Sequence, residues 1–208
     1  MLLRREAERL QRELASYDHS RERMLRLTRE ATRLSDMAIV HIHRRDLKRA
    51  ARLIDRAEAE LAKVEGLDLP PDLREHNSLL VAYQELVEAK ALHKLITDGT
   101  LLSYGESGAS REAYLLGLLD LIGELRRLIL NLLRRGESAQ AEKIFDQMEE
   151  LYEDLSALDH TALIPNFRHK MDTARHLVEA TRGDVVSEAR RASLERALER
   201  LAARGRRG

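Results

Sequence analysis

Four carboxylates stand where the surrounding residues are apolar. Glu85 and Glu88 are three apart in Tyr83-Gln84-Glu85-Leu86-Val87-Glu88-Ala89. Asp120 and Glu124 are four apart in Leu119-Asp120-Leu121-Ile122-Gly123-Glu124-Leu125. On an α-helix each spacing puts its two acids on one face. The first pair shares that face with Val81, Ala89, Leu92 and Leu95, the second with Leu116, Gly117, Gly123 and Arg127. Carboxylates taken from water need a compensating cation. Hard oxygen ligands suit Mg²⁺ or Mn²⁺, which keep part of their water and also bind phosphate. An ion of that kind activates water and neutralises charge developing on a phosphodiester. The alternative is that Arg126, Arg127, Lys90 or Lys94 pair with the acids as buried or interfacial salt bridges. Spacing alone leaves both readings open. Gly117 and Gly123 are weak helix formers among strong ones, which points to a close backbone or ligand.

Other chemistries find little support. The chain has no Cys, which excludes a disulfide framework, a thiolate metal site and a Cys nucleophile, and suits a reducing cytosol. No Glu-x-x-His pair of the di-iron bundle type occurs, and there is no Gly-x-Ser-x-Gly elbow, P-loop or dinucleotide fingerprint. His41 and His43 diverge on a helix, being two apart. His169, Asp172 and His176 share a face, but Arg168, Lys170 and Arg175 beside them mark it as a solvated or interface face rather than a ligand set.

Charge supplies the second candidate function. The totals balance, 36 Lys and Arg against 36 Asp and Glu, but the distribution does not. Residues 1–56 hold 15 basic and 9 acidic side chains, a net of +6; residues 57–181 carry −10 and residues 182–208 carry +4. Thirty of the 36 basic residues are Arg, whose planar fork suits phosphate. Arg26, Arg29 and Arg33 follow one helical line, and His43-Arg44-Arg45 closes it, so these arginines could track a nucleic-acid backbone. A solvated face is the plain alternative. Aromatics are only 3% of the chain, so any contact with nucleic acid would be mostly electrostatic rather than stacked.

The elements that must position these residues are helices. A 208-residue chain rich in Ala, Leu, Glu and Arg, with three Pro and ten Gly, is all-α and long enough for one domain with a real core. Punctuation divides it into about seven segments. The first spans residues 1–45, with a weak point at Ser16-Tyr17-Asp18-His19-Ser20, and the second spans 46–64 with Asp46 as N-cap. After Pro70-Pro71 a third runs over 72–98 to Gly99, and a flexible loop over 99–110 leads to a fourth reaching Gly136. Segments 137–158, 163–181 and 183–203 follow, and residues 204–208 should fray. The fourth helix is apolar nearly all round, which calls for cover from subunit contacts. No apolar run approaches a membrane span, and the charged start (Arg4, Arg5, Glu6, Glu8, Arg9) is unlike a secretory leader, so a cytoplasmic location away from membranes is expected.

Tyr83-Gln84-Glu85-Leu86-Val87-Glu88-Ala89, followed by Tyr114-Leu115-Leu116-Gly117-Leu118-Leu119-Asp120-Leu121-Ile122-Gly123-Glu124-Leu125-Arg126-Arg127, resembles the translin superfamily, and more narrowly its translin-associated factor X (Trax) branch in its prokaryotic form. Leu27-Thr28-Arg29-Glu30, His41-Ile42-His43-Arg44 and Phe167-Arg168-His169-Lys170-Met171-Asp172-Thr173-Ala174-Arg175 extend the likeness over roughly residues 22–186, with no firm counterpart for residues 1–20. The resemblance implies a seven-helix, translin-type bundle assembling alone into a hollow homo-oligomer, an octamer, that takes single-stranded RNA or DNA inside. It implies an Mg²⁺-dependent endoribonuclease site, whose acidic pairs fall on Glu85 with Glu88 and on Asp120 with Glu124. Asp120 favours the catalytic branch over a non-catalytic, strand-binding shell.

Overall fold

The computed structural model describes residues 3–205, and every regular element among them is helical. Eight α-helices follow in order: α1 (Arg4–His43), α2 (Leu47–Glu65), α3 (Pro71–Arg74), α4 (Asn77–Asp98), α5 (Tyr104–Ser107), α6 (Arg111–Arg134), α7 (Ser138–Ser156) and α8 (Phe167–Gly205), with one 3₁₀ turn at Thr161–Leu163. The all-α expectation holds. Asp46 caps α2 by accepting from the Arg49 amide, and Gly99 ends α4 at φ 74°, a conformation that favours glycine.

Several boundaries differ from those expected, each for a local reason. α1 passes unbroken through residues 16–20. Ser and Asp cap a helix only where the chain leaves it, and here Tyr17 is anchored by donating its hydroxyl to Asp72 Oδ2 at 2.6 Å. The expected third helix is divided. His76 is extended and its Nδ1 accepts from the Ser78 amide, which starts α4 afresh after the single turn of α3. The loop over 99–110 contains its own turn of helix, α5, closed by a Ser103–Glu106 capping box. Pro165 precedes the last helix instead of lying in it. The two final segments are one helix, α8, which runs through Gly183. Arg126 holds it on both sides of that glycine, donating to Thr181 Oγ1 at 2.8 Å and pairing with Asp184 at 3.0 Å. Arg204 and Gly205, expected to fray, still belong to α8, while residues 206–208 lie outside the described residues.

The chain divides into two compact units, Met1–Leu118 and Leu119–Gly208, and α6 contributes its first turns to one and the remainder to the other. In the first unit α1 packs on α2 and α4, and α2 on α4, around Met24, Leu34, Ile42, Leu61 and Leu92. In the second, α7 packs on α8, with Leu121, Ile122, Leu125, Ile129, Leu132 and Met148 fully buried. The apolar stripe of α1 (Leu27, Ala31, Leu34, Ala38, Ile42) is buried throughout. Its N-terminal turns are not: residues 3–16 are exposed along their whole length.

Candidate functional site

α4 carries Glu85 and Glu88 within the first unit. Glu88 keeps only 7% of its exposure, between Val87 and Ala89 at 0%, so a carboxylate occupies a core position of a core helix. Glu85, one turn earlier, is half-buried. Such burial is costly unless the carboxylate is compensated. Glu85 and Glu88 both engage in polar interactions, and Lys90 and Lys94, the cations that sequence places nearest, also pair with other carboxylates. Lys90 Nζ lies 2.5 Å from Glu58 Oε1, and Lys94 Nζ lies 2.6 Å from Glu106 Oε1.

α6 carries Asp120 and Glu124 within the second unit, both half-buried. Here the salt-bridge alternative is met in part. Glu124 receives Arg127 at 3.4 Å, one turn along the same helix. Asp120 receives Lys170 of α8, whose ammonium contacts Oδ1 directly. Around this contact opens a cavity of about 430 Å³, lined by Leu119, Asp120, Gly123, Asn166, His169, Lys170, Thr173, Ala174 and Leu177. The two glycines of α6 have different causes. A Cβ on Gly117 would come within 2.7 Å of the Gln84 carbonyl oxygen and 2.9 Å of Val87, so glycine there lets α4 approach. Gly123 meets nothing nearer than Leu177 at 3.9 Å and lines the cavity.

Among the described residues no group of three or more His, Asp or Glu side chains is arranged to hold a metal ion. A carboxylate pair remains within Mg²⁺ chemistry, because that ion keeps several waters and needs only one or two protein carboxylates. The donors are hard oxygens, and Asp120 already binds a cationic group, so the residues fit such an ion. His169, Asp172 and His176 are all exposed, as expected of a solvated face, and His176 Nδ1 is bonded to the backbone oxygen of Asp172.

The basic candidates separate into two sets. Arg26, Arg29 and Arg33 line an open groove of about 1210 Å³ between α1 and α2, together with His19, Arg23 and Lys63. Glu22, Glu30 and Glu60 share the lining, so the groove is basic by a small margin. Arg33 forks onto Glu30 at 2.6 and 2.8 Å, which lowers the Glu30 pKa and raises that of Arg33, and Lys63 pairs with Glu60 at 2.6 Å. Arg29 donates its Nε to the Leu25 carbonyl at 2.9 Å. Among the described residues Arg23 and Arg26 have no carboxylate partner, so they are the guanidinium groups most available to phosphate. Arg44 and Arg45 lie outside the groove, at the C-terminal end of α1, where Arg45 takes a φ of 63°. Sequence reasoning missed Arg23, although it extends the Arg26–Arg29–Arg33 line by one turn. It also missed Lys63 and Lys170, for which helical spacing carries no signal.

Residues 19–180 match the model of the translin family. The chain belongs to the translin family. This translin-family chain is 35% identical over 190 residues to the "Uncharacterized protein MJ0175" of Methanocaldococcus jannaschii, covering 90% of the chain and 85% of that protein. It is similar to the crystal structure of AfC3PO, with a TM-score of 0.78 at 29% identity, covering 88% of this chain and 96% of the other. The AfC3PO structure in complex with duplex RNA matches over the same shares at 29% identity, with a TM-score of 0.75. Apo-NeC3PO, at 23% identity and a TM-score of 0.78, over 90% of this chain and 98% of the other, shares the fold. The family match runs through both compact units and leaves the exposed start of α1 outside it.

Proposed function

We propose that this protein is a metal-dependent endoribonuclease of the Trax-like type, which binds and cleaves single-stranded RNA inside a homo-oligomeric shell. The observation that carries this reading is Glu88, a carboxylate buried to 7% exposure on a core helix, one turn from Glu85. Membership of the translin family and the likeness to a C3PO structure in complex with duplex RNA support RNA as the polymer bound. Glu85, Glu88, Asp120 and Glu124 are the residues that would hold Mg²⁺, or Mn²⁺ in its place. Bound there, the ion would supply an activated water and neutralise charge on the phosphodiester. Arg23, Arg26 and Arg29 hold the strand by its phosphates, so affinity should fall steeply with salt and depend little on sequence. Exposed Leu3 just before α1, Leu10 and Leu14 on α1, and Leu194 and Leu198 on α8, support subunit contacts as their cover.

Labelled single-stranded RNA incubated with wild type and Glu88→Ala, in Mg²⁺ or in EDTA, tests the proposal. Cleavage should need both the ion and Glu88, and Asp120→Asn should still bind RNA without cutting it. Metal-independent cleavage that survives Asp120→Asn would sink it. A second reading, a non-catalytic shell for single-stranded RNA or DNA, draws on the ion pairs that Lys170 and Arg127 already make with Asp120 and Glu124. It requires salt-sensitive binding of either polymer and no cleavage in Mg²⁺ or Mn²⁺.

A further inference from the structure

In a chain where 30 of the 36 basic residues are Arg, the cation on Asp120 is a lysine. The difference has chemical content. Arg126 shows the fixed arrangement, its planar fork held by Thr181 and Asp184. A lysine ammonium is a point charge on a flexible stem, with three donors that can move between acceptors. Lys170 and Asp120 are each about a quarter exposed, at 27% and 25%, so their contact is neither sealed in the core nor lost in solvent. It lies in the wall of the cavity of about 430 Å³, where the Asn166 amide and the His169 ring supply further polar groups beside it. Lys170 also projects from the first turn of α8, 50 residues from Asp120, so no property of α6 requires it there.

We propose that Lys170 is the cation Asp120 holds in the absence of substrate, and that a phosphate oxygen of the RNA takes it over when the strand enters this cavity. The inference rests on the reading of Asp120 as part of a metal-dependent ribonuclease site. A divalent ion and an ammonium on one carboxylate repel each other, so binding of the ion at Asp120 and release of Lys170 are coupled. Lys170 is therefore a positioning residue toward Asp120 and a contact residue toward the phosphodiester.

Two measurements test this without relying on cleavage. Mn²⁺ affinity, read by electron paramagnetic resonance in the absence of RNA, should tighten about tenfold in Lys170→Ala, because a competing charge is removed. Lys170→Gln, which keeps the stem and a hydrogen bond, should show the same gain and serves should the alanine variant fail to fold. RNA binding in EDTA should become tighter and more salt-dependent in Asp120→Asn, which frees Lys170. The slope of log affinity against log salt should steepen by about 0.7, the value for one phosphate contact on a single strand. Lys170→Gln in the Asp120→Asn background should abolish that increment. A lysine that only pairs with Asp120 as a structural salt bridge would leave the RNA salt slope unchanged in Asp120→Asn, and that result would overturn its role as a phosphate contact. If wild type binds Mn²⁺ and RNA, but Mn²⁺ affinity is unchanged in both Lys170 variants and the salt slope is unchanged in Asp120→Asn, the role of Lys170 is overturned while the proposed function stands. If wild type binds neither, both fall.

Discussion

Single residues divide here by whether their charge is already spent. Arg26 and Arg33 lie on the same line of α1 and in the same groove, yet Arg33 is forked onto Glu30 and Arg26 has no carboxylate partner among the described residues. Arg26→Ala should therefore weaken RNA binding and lower the salt slope by about 0.7, while Arg33→Ala should change it by less, as titrations of one oligonucleotide at several salt concentrations will show. The two glycines of α6 divide in the same way, by what surrounds them. Gly117→Ala forces a Cβ to within 2.7 Å of a backbone oxygen and should cost about 1–3 kcal/mol by overpacking. Gly123→Ala meets only ordinary contact at 3.9 Å and should be neutral, or stabilising by up to about 1 kcal/mol through helix propensity. Thermal melts of the two variants check this. Spacing marked both glycines as unusual; only the packing shows that one admits a neighbouring helix and the other lines a cavity.

Elements are held in place by contacts that periodicity does not reveal. The turn formed by α5 is tied to α4 through Glu106, which accepts from Lys94 Nζ and from the hydroxyl and amide of Ser103. Those bonds, the Lys94 contact first, hold the Glu106 carboxyl down at about 2 against an ordinary 4.5. A carboxyl depressed in this way stabilises the folded turn fully above its ordinary range, and the benefit is lost as pH falls through the lowered value. Amide protection factors over residues 103–108, taken against the intrinsic exchange rate at each pH, should therefore stay high at neutral pH and fall as pH drops from about 4.5 towards 2, and Glu106→Gln should remove that pH dependence. Tyr114 fastens the same segment by donating to the Leu102 carbonyl at 2.8 Å, and its ring lies 5.3 Å from that of Tyr104. A stretch that reads as loose from its Gly and Ser content is thus a pinned turn. α8 offers the converse case: Gly183 reads as a stop, but Arg126 clamps Thr181 and Asp184 on either side and the helix continues.

At the scale of the whole molecule, leucines without cover are the feature to be explained. Leu3, Leu14, Leu194 and Leu198 are each more than half exposed, at 74%, 66%, 61% and 55%, on two helices whose ends extend beyond their cores. Isolated helical ends of this length are marginal in water without packing. The association of copies proposed above would supply that packing. Light scattering should report an assembly of about eight times the 23.9 kDa chain, and a monomeric mass at micromolar concentration would overturn the shell. The zero total charge is no obstacle to a polyanion, since the +6 of residues 1–56 includes the α1 face of the groove at Arg23, Arg26 and Arg29.

The sequence by itself determined the helical class, because Ala, Leu, Glu and Arg with sparse Gly and Pro favour one backbone conformation over long stretches. The resemblance of its motifs to the translin family was legible along the chain as well, as were four carboxylates at helical spacing on apolar faces, which stand out among apolar neighbours. Tertiary structure alone decided what those acids touch. Lys170 is 50 residues from Asp120, and Glu58 is 32 residues from Lys90. Pairings at such separations obey no local period and are set by which helices pack together. The same holds for the groove, whose Lys63 comes from α2 and whose arginines come from α1. Local propensity specifies helices and faces; the partners of a charge are chosen by packing, which minimises the cost of leaving it alone.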